Sequence, residues 1–287
     1  MKKKMAVMLT LLMMVNVAGC TRSQNTLNTQ ETTTGETEVV EENLTEDSSE
    51  TTEEVFVATE EEKEDEGVLV TYETAEDEKK LDDGSVIMYV SYMKPTVTIS
   101  GNEEAQNIIQ ENLDQAESDF YTNADELEGE ARQFYTEMPG EDESAYAYDV
   151  TYSDLRTDSK VISFMRSQYT YQGGAHGYTY SCGINYDVKT GAILTLDDIT
   201  TDKEAFLAQV KEVIIEKCDN GEYKESVFPD YKDYVDGIIT DDLWYFDKEG
   251  ITFIANPYEL GPYAAGMLTF TVPYNEILDV KEAYMPE

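Results

Sequence analysis

Val86-Ile-Met-Tyr-Val-Ser-Tyr-Met93 and Pro95-Thr-Val-Thr-Ile99 are the stretches that decide the fold class. Both are rich in β-branched and aromatic residues, which favour β-strands. Ser100-Gly-Asn-Glu103 follows and resembles a capping box, which marks the first turn of a helix. Apolar residues then recur at helical spacing and predict one buried face, made of Ala105, Ile108, Ile109, Leu113, Ala116 and Phe120. Two strands followed by a helix predict an α+β fold.

The same order occurs a second time along the chain. Thr201-x-x-Glu204 is another capping-box pattern, and the polar, acidic stretch 129–144 predicts a loop or a frayed helix end. Further strands are predicted at 145–153, 161–171, 178–188, 243–246, 250–255 and 267–272. We therefore expect two small strand–helix–strand units with mainly antiparallel sheet, at 68–185 and 186–287.

Residues 1–19 have the composition of an export signal. A basic start, Met1-Lys-Lys-Lys4, precedes an apolar run that ends in small residues. Val17-Ala-Gly-Cys20 matches a bacterial lipobox, so we expect cleavage before Cys20 and acylation of that residue, with palmitate among the acyl chains. The alternative is an uncleaved anchor or a chance cysteine. A lipid anchor would hold the protein on the extracellular side of the cell membrane.

Residues 20–67 have the composition of an acidic tether. They are rich in Thr, Glu, Ser and Asn and carry few apolar side chains, so they cannot bury enough area to offset chain entropy. The whole chain has a formal net charge of −41. Because nucleic acids and anionic lipids are bound through basic surfaces, this charge argues against both and favours cations or basic proteins. The alternative is that the charge serves solubility alone.

The residue types present exclude several chemistries. His176 is the only histidine, so metal sites built from several histidines are excluded, and the chain has neither a Gly-x-Ser-x-Gly elbow nor a Gly-Lys-Ser/Thr phosphate loop. Carboxylate pairs for glycosidase chemistry are uninformative in so acidic a chain. Asp197-Asp198 and Asp241-Asp242 could hold calcium, but solvated or helix-capping roles are the default. We expect no enzyme activity, no cofactor and no metal.

Two cysteines remain beside Cys20. Cys182 lies on the apolar side of its predicted strand, and Cys218 lies on the predicted core face of the second helix. Export permits a disulfide between them, although a chain of this size does not require one. The sequence is therefore compatible with either a disulfide or a pair of buried thiols.

Two loops stand out as candidate binding elements. Tyr171-Gln-Gly-Gly-Ala-His-Gly177 has three glycines, which permit positive φ or a close backbone approach. Asn256-Pro-Tyr-Glu-Leu-Gly-Pro-Tyr-Ala-Ala-Gly266 is stiffened by prolines and presents Tyr258 and Tyr263, rigid aromatic side chains of the type that anchor interfaces. The alternatives are a tight hairpin in which His176 is structural, and tyrosines that pack back on the sheet.

These loops carry a family resemblance. Gln172-Gly-Gly-Ala-His-Gly177, Asn185-Tyr-Asp-Val-Lys-Thr-Gly191 and Leu194-Thr-Leu-Asp-Asp-Ile199 resemble the RsiV-type extracellular domain. Phe246-x-x-x-Gly250 and the 256–266 loop look like its C-terminal signature. The earlier part of the chain resembles the companion domain that RsiV shares with the deacetylase PdaC. The resemblance implies an RsiV/PdaC ectodomain-like fold over roughly Val86 to Ile277.

The resemblance also implies a partner. The RsiV ectodomain binds lysozyme and thereby triggers loss of an anti-sigma factor, whereas PdaC couples a similar region to a catalytic domain. We expect neither effector here, so the signalling role is not carried over. Lysozyme or another basic protein is the expected partner, with Tyr258, Pro262, Tyr263 and His176 as contacts, and a peptidoglycan fragment is the alternative ligand. Two other functions stay open, a peptidoglycan-active enzyme or accessory and a structural envelope lipoprotein.

Overall fold

The computed structural model describes residues 67–138, 140 and 144–286. The predicted signal segment, Cys20 and nearly all of the predicted tether lie outside these residues. Within them the protein has a five-stranded mixed sheet and a three-stranded antiparallel sheet, each packed with helices. The predicted α+β fold class is confirmed. No helix in the described part of the chain is both long enough and apolar enough to span a membrane.

The larger sheet has the strands in sequence order. Its strands are β1 (Val68–Lys80), β2 (Val86–Ile99), β3 (Tyr146–Thr157), β4 (Val161–Tyr171) and β5 (Tyr178–Asp187). Only β2 and β3 are parallel. Parallel neighbours need a long crossover, and helix α1 (Glu103–Glu137) provides it across one face of the sheet.

Residues 196–273, which follow β5, form the smaller sheet and its helices. Its helices are α2 (Leu196–Ile199), α3 (Lys203–Asp219) and α4 (Val235–Ile238), and its strands are β6 (Trp244–Phe246), β7 (Gly250–Ala255) and β8 (Leu268–Pro273). Short 3-10 turns lie at Tyr231–Asp233, Tyr263–Ala265 and Glu282–Tyr284. The three strands predicted at the C-terminal end of the chain therefore pair as the expected antiparallel set.

The two strands predicted around Pro95 are one continuous strand, β2. The backbone N–H groups of Val97 and Ile99 donate to side-chain oxygens of α1, Gln110 at 3.2 Å and Gln106 at 3.0 Å. Alternate residues of a strand point their N–H groups the same way, so the nitrogen of Pro95 faces this edge as well. Because β3 pairs with β2 only as far as Tyr92, the missing N–H costs no inter-strand hydrogen bond.

Helix α1 continues as far as Glu137, into the region 129–144 that was predicted as a loop or frayed end. Leu127 and Ala131 are buried against the sheet, so packing holds the last turns despite their acidic composition. Arg132 forms an ion pair with Glu128 at 2.7 Å, four residues earlier. Ile108, which was predicted on the buried face, is 37% exposed.

Both predicted helix caps are displaced towards the helix. The side chain of Asn102, not Ser100, accepts the hydrogen bond from the N–H of Ala105 and caps α1. At α3 the cap is Asp202, not Thr201. In each case the predicted Ser or Thr lies one or two residues too early, since an acidic or amide side chain nearer the first turn reaches the free N–H groups.

The described residues form two hydrophobic cores. The first lies between α1 and the larger sheet and contains Cys182, which is fully buried. The second lies between α3 and the smaller sheet and contains Cys218, a free and buried thiol. The disulfide between these two cysteines is not formed, since Cys218 is a free thiol. The predicted unit boundary between residues 185 and 186 stays a prediction.

Candidate ligand-binding site

Asn256 fixes the loop that follows β7 against β5. Its side chain is buried, accepts from the N–H of Ser181 at 2.7 Å and donates to the carbonyl of Ser181 at 3.0 Å. These two hydrogen bonds use both the N–H and the carbonyl of one residue, as pairing between neighbouring strands does. They fix the start of the loop to β5. The importance of Asn256 was not predicted, although an Asn-Pro pair directly after an apolar strand is a turn signal that points to it.

The turn after Asn256 is tight and strained. The N–H of Tyr258 donates to the carbonyl of Gly261 at 3.0 Å, and Tyr258 has a φ of 72°. Non-glycine residues rarely adopt a positive φ, and such strain concentrates at functional sites. Leu260 is fully buried while Tyr258 is 47% exposed. The loop thus anchors itself through Leu260 and presents the ring of Tyr258 to solvent.

The glycine-rich loop between β4 and β5 meets this turn. The rings of His176 and Tyr263 stack with centroids 3.9 Å apart and planes 18° apart. The hydroxyl of Tyr263 donates to the carbonyl of Gly177 at 3.0 Å. Nδ1 of His176 lies 2.9 Å from the same oxygen, which can only accept, so this contact requires the proton on Nδ1. Two loops that are 80 or more residues apart therefore form one surface.

Gly177 is a buried residue of this surface. A Cβ atom there would lie 2.4 Å from the ring of Tyr169 in β4. The ring of Tyr258 lies 5.8 Å from that of Tyr263, which completes a group with His176 and the exposed Pro262. We call these four residues the aromatic patch. It contains all four side chains that the sequence predicted as partner contacts.

An open cleft of about 450 Å³ lies beside the aromatic patch. Thr179 and Ser181 of β5 form one wall, and Pro257, Tyr263 and Met267 line the other. Clefts of this size, with apolar and aromatic walls and a few hydroxyls, suit small ligands or a protruding side chain of a larger partner.

The ionisable groups in and near the site make local contacts. Among the described residues, the ring of His176 makes a hydrogen bond only to Gly177, and no cluster of His, Cys, Asp and Glu has metal-binding geometry. The acidic pairs considered for calcium have local roles. Asp198 closes a capping box with Thr195, and Asp241 accepts from the N–H of Leu196 at 2.7 Å.

A second cleft, of about 670 Å³, lies on the other side of the sheet from α1. Glu76 and Glu78 of β1, Tyr89 of β2 and Asp149 of β3 line it, together with Lys80. Burial, and then the charge of Glu76, raises the pKa of Asp149. The alternation of β3 predicted which of its residues face the core, but this cleft depends on strand order and was not predicted.

Comparison with known families places a match in each half of the chain. Residues 81–179 match the family described as deacetylase PdaC, and residues 197–275 match DUF3298, a family of proteins of unknown function. The two matched regions follow one another along the chain. The resemblance to RsiV and PdaC ectodomains is thereby confirmed at the level of these families. His176 lies in the first matched region and Tyr258, Pro262 and Tyr263 lie in the second.

A solved structure shows a similar fold. A DUF3298-family protein from Bacteroides fragilis aligns with a TM-score of 0.53 at 17% identity, over 76% of this chain and 95% of that one. Another, from Pseudomonas aeruginosa PAO1, aligns with a TM-score of 0.49 at 18% identity, over 78% of this chain and 99% of that one. A comparison with functionally curated proteins gives no match.

Proposed function

We propose that this chain is a lipid-anchored surface protein whose folded region captures a basic extracellular protein, with lysozyme the first partner to test. The aromatic patch carries the proposal. The exposed ring of Tyr258 stands on a strained backbone beside an open cleft, and it neighbours the ring of Tyr263, which stacks on His176. Rigid aromatic side chains at the centre of a surface are the common anchors of protein interfaces.

Charge complementarity supports a basic partner. The chain carries 61 acidic residues and 20 Lys and Arg residues, so its field attracts cationic proteins over distances of about 10 Å, the screening length at 0.1 M salt. Long-range attraction raises the association rate, whereas the aromatic patch would determine the lifetime of the complex. Salt should therefore slow association more than it speeds dissociation.

The test is calorimetric titration of the purified protein with lysozyme at low and moderate salt. Replacing Tyr258 by glycine removes the ring and relieves the positive φ, so Y258G should fold at least as well as the parent protein. The affinity should nevertheless fall about 30-fold, the loss expected for an interface anchor worth about 2 kcal/mol. Lower affinity without lower stability separates binding from folding.

Tyr234→Ala is the matched control. Tyr234 is 45% exposed, close to the 47% of Tyr258, but it lies near α4 and outside the aromatic patch. Two results would contradict binding through the aromatic patch: equal affinities for the parent, Y258G and Tyr234→Ala proteins, or binding that disappears at moderate salt. Either would mean that net charge alone attracts lysozyme. Saturable binding of peptidoglycan fragments but not of lysozyme would replace the proposed partner with a wall ligand.

The lipid anchor has its own test. Cys20→Ser should move the protein from the membrane fraction to the medium in an exporting bacterial host. Cys218→Ser, a change at a buried thiol of the second core, should leave the protein in the membrane fraction. Membrane retention of the Cys20→Ser protein would show that Cys20 is not the anchor.

A further inference from the structure

Arg166 of β4 is a buried cation with few partners. Its side chain is 3% exposed and lies in the first core, between Tyr152 on β3 and Cys182 on β5. Nη2 donates to Oε1 of Gln168 at 3.2 Å. Nε and Nη1 have no hydrogen-bond partner among the described residues. Two donors of a permanently charged group thus point into a closed interior, which is strongly unfavourable without a compensating charge.

No counter-charge within the described residues faces this guanidinium. Arg166 forms no ion pair there, and the carboxylate of Glu117 on α1 is 2.6 Å from Lys94. The nearby tyrosines stay neutral at physiological pH, since burial raises the pKa of Tyr92 and of Tyr148 above the ordinary value, against the opposing effect of the Arg166 charge. An arginine cannot escape the cost by losing its proton.

Arg156 is a second buried arginine, and it has a carboxylate partner although its Nη2 has no hydrogen-bond partner among the described residues. It is 6% exposed, and its Nε lies 2.6 Å from the carboxylate of Asp158. Its Nη1 donates to the hydroxyl of Tyr274 at 3.0 Å and to the carbonyl of Tyr284 at 2.7 Å. Within the part of the chain that the structure describes, one buried arginine therefore has an anionic partner and the other has none.

We propose that Arg166 forms an internal binding site for one small monovalent anion such as chloride. Nε and Nη1 would donate to the anion. The hydroxyl of Tyr148, which is buried near Asn123 without a hydrogen bond of normal geometry, is a third donor on the same face of the sheet. Small size follows from the burial of Arg166, because a phosphate or sulfate would need far more room than a closed core provides.

The test is thermal unfolding of the purified protein as chloride replaces gluconate at constant ionic strength. A ligand that binds only the folded state raises Tm, here by about 3–5 °C for each tenfold rise in chloride above its dissociation constant. Arg166→Met should abolish the dependence on chloride. Arg156→Met should lower Tm, because it leaves Asp158 and two other acceptors without their partner, but it should keep the dependence on chloride.

A parent protein with equal Tm in chloride and gluconate would overturn the proposal, as would an Arg166→Met protein that keeps the full dependence. If Arg166→Met does not fold, crystals of the parent protein grown in bromide decide the matter. The proposal requires an anomalous bromide peak within hydrogen-bonding distance of Nε and Nη1 of Arg166, and a core without such a peak contradicts it.

Discussion

Gly183 of β5 lets the larger sheet and β6 come into backbone contact. A Cβ atom at this position would lie 1.7 Å from the carbonyl oxygen of Trp244, and the N–H of Gly183 donates to the carbonyl of Asp242 at 2.9 Å. No side-chain movement can make room against a main-chain oxygen. The absence of one methyl group thus allows the two cores to adjoin, a constraint that no local sequence pattern reveals.

Gly183→Ala should destabilise the protein by about 3 kcal/mol or more, the upper end of the usual cost of overpacking, because backbone must move. Chemical denaturation measures the change. Gly129→Ala is the matched control, since Gly129 is exposed in α1 with open space around its Cα. It should stabilise the protein by about 0.5–1 kcal/mol. A tolerated Gly183→Ala would contradict the close contact.

Cys218 should be unreactive in the native protein. Burial, with a smaller contribution from the charge of Asp219, raises the pKa of the Cys218 thiol from 9.0 to about 11. Alkylation at pH 8, followed by mass spectrometry of the Cys218 peptide, should be about 100-fold slower than in the unfolded chain, because the thiolate reacts. Between pH 9.0 and about 11 the folded state keeps the thiol proton that the unfolded state loses. The free energy of unfolding therefore falls as the pH rises from 9.0 to about 11. Equal alkylation rates would contradict the raised pKa.

Secondary structure was predictable where local pattern and packing agree. The alternation in β3 and the apolar runs of β6 to β8 predicted those strands, because each side chain there faces the side that its polarity suits. The end of α1 was not predicted as helix because the stretch is rich in acidic residues, which suggested a loop. Its last turns are nevertheless held against the sheet by Leu127 and Ala131. Cap positions were missed because several capping side chains lie close together in sequence and geometry selects among them.

The start of α3 gives a direct test of the observed cap. Asp202→Ala should lower the free energy of unfolding by about 1 kcal/mol, since the N–H of Ala205 loses its acceptor. Thr201→Ala, one residue earlier, should change it by about 0.5 kcal/mol or less, because the Thr201 hydroxyl makes only a long, exposed contact at 3.5 Å with Asp279. A larger loss of unfolding free energy from Thr201→Ala than from Asp202→Ala would indicate that Thr201 caps the helix, as predicted from the sequence.

At the scale of the whole molecule, a buried polar network joins the two sheets. Nδ2 of Asn185 donates to the carbonyl of Trp244 at 3.0 Å, and its Oδ1 accepts from the hydroxyl of Ser163 at 2.6 Å. The N–H of Phe246 donates to the same hydroxyl at 3.0 Å. Because all of these groups are buried, each bond depends on the correct alignment of both sheets.

Asn185→Leu should uncouple the two cores, at a cost of about 1–3 kcal/mol for each buried group left without a partner. Trp244 is the only tryptophan and lies in the second core, so its fluorescence reports that core while circular dichroism reports the whole protein. The two unfolding curves should coincide in the parent protein and separate in the variant. Asn107→Leu, at an exposed position of α1, should leave them coincident. Coincident curves for Asn185→Leu would contradict the coupling.

The site was predictable in its parts but not in its assembly. Glycines marked the loop of His176, and prolines with tyrosines marked the loop of Tyr258 and Tyr263. Their meeting depends on the order of strands in the sheet and on Asn256 bridging to β5. Contacts between loops this far apart in sequence are set by topology, which a single sequence does not encode locally.

The most direct measurement places a photoreactive aromatic residue at position 258, adds lysozyme in moderate salt and irradiates the mixture. A matched protein carries the same residue at position 234, where Tyr234 is equally exposed. Capture through the aromatic patch predicts a one-to-one covalent product from position 258 and little from position 234. Equal products from both positions, or none from either, would contradict the claim that this patch is the partner-binding surface.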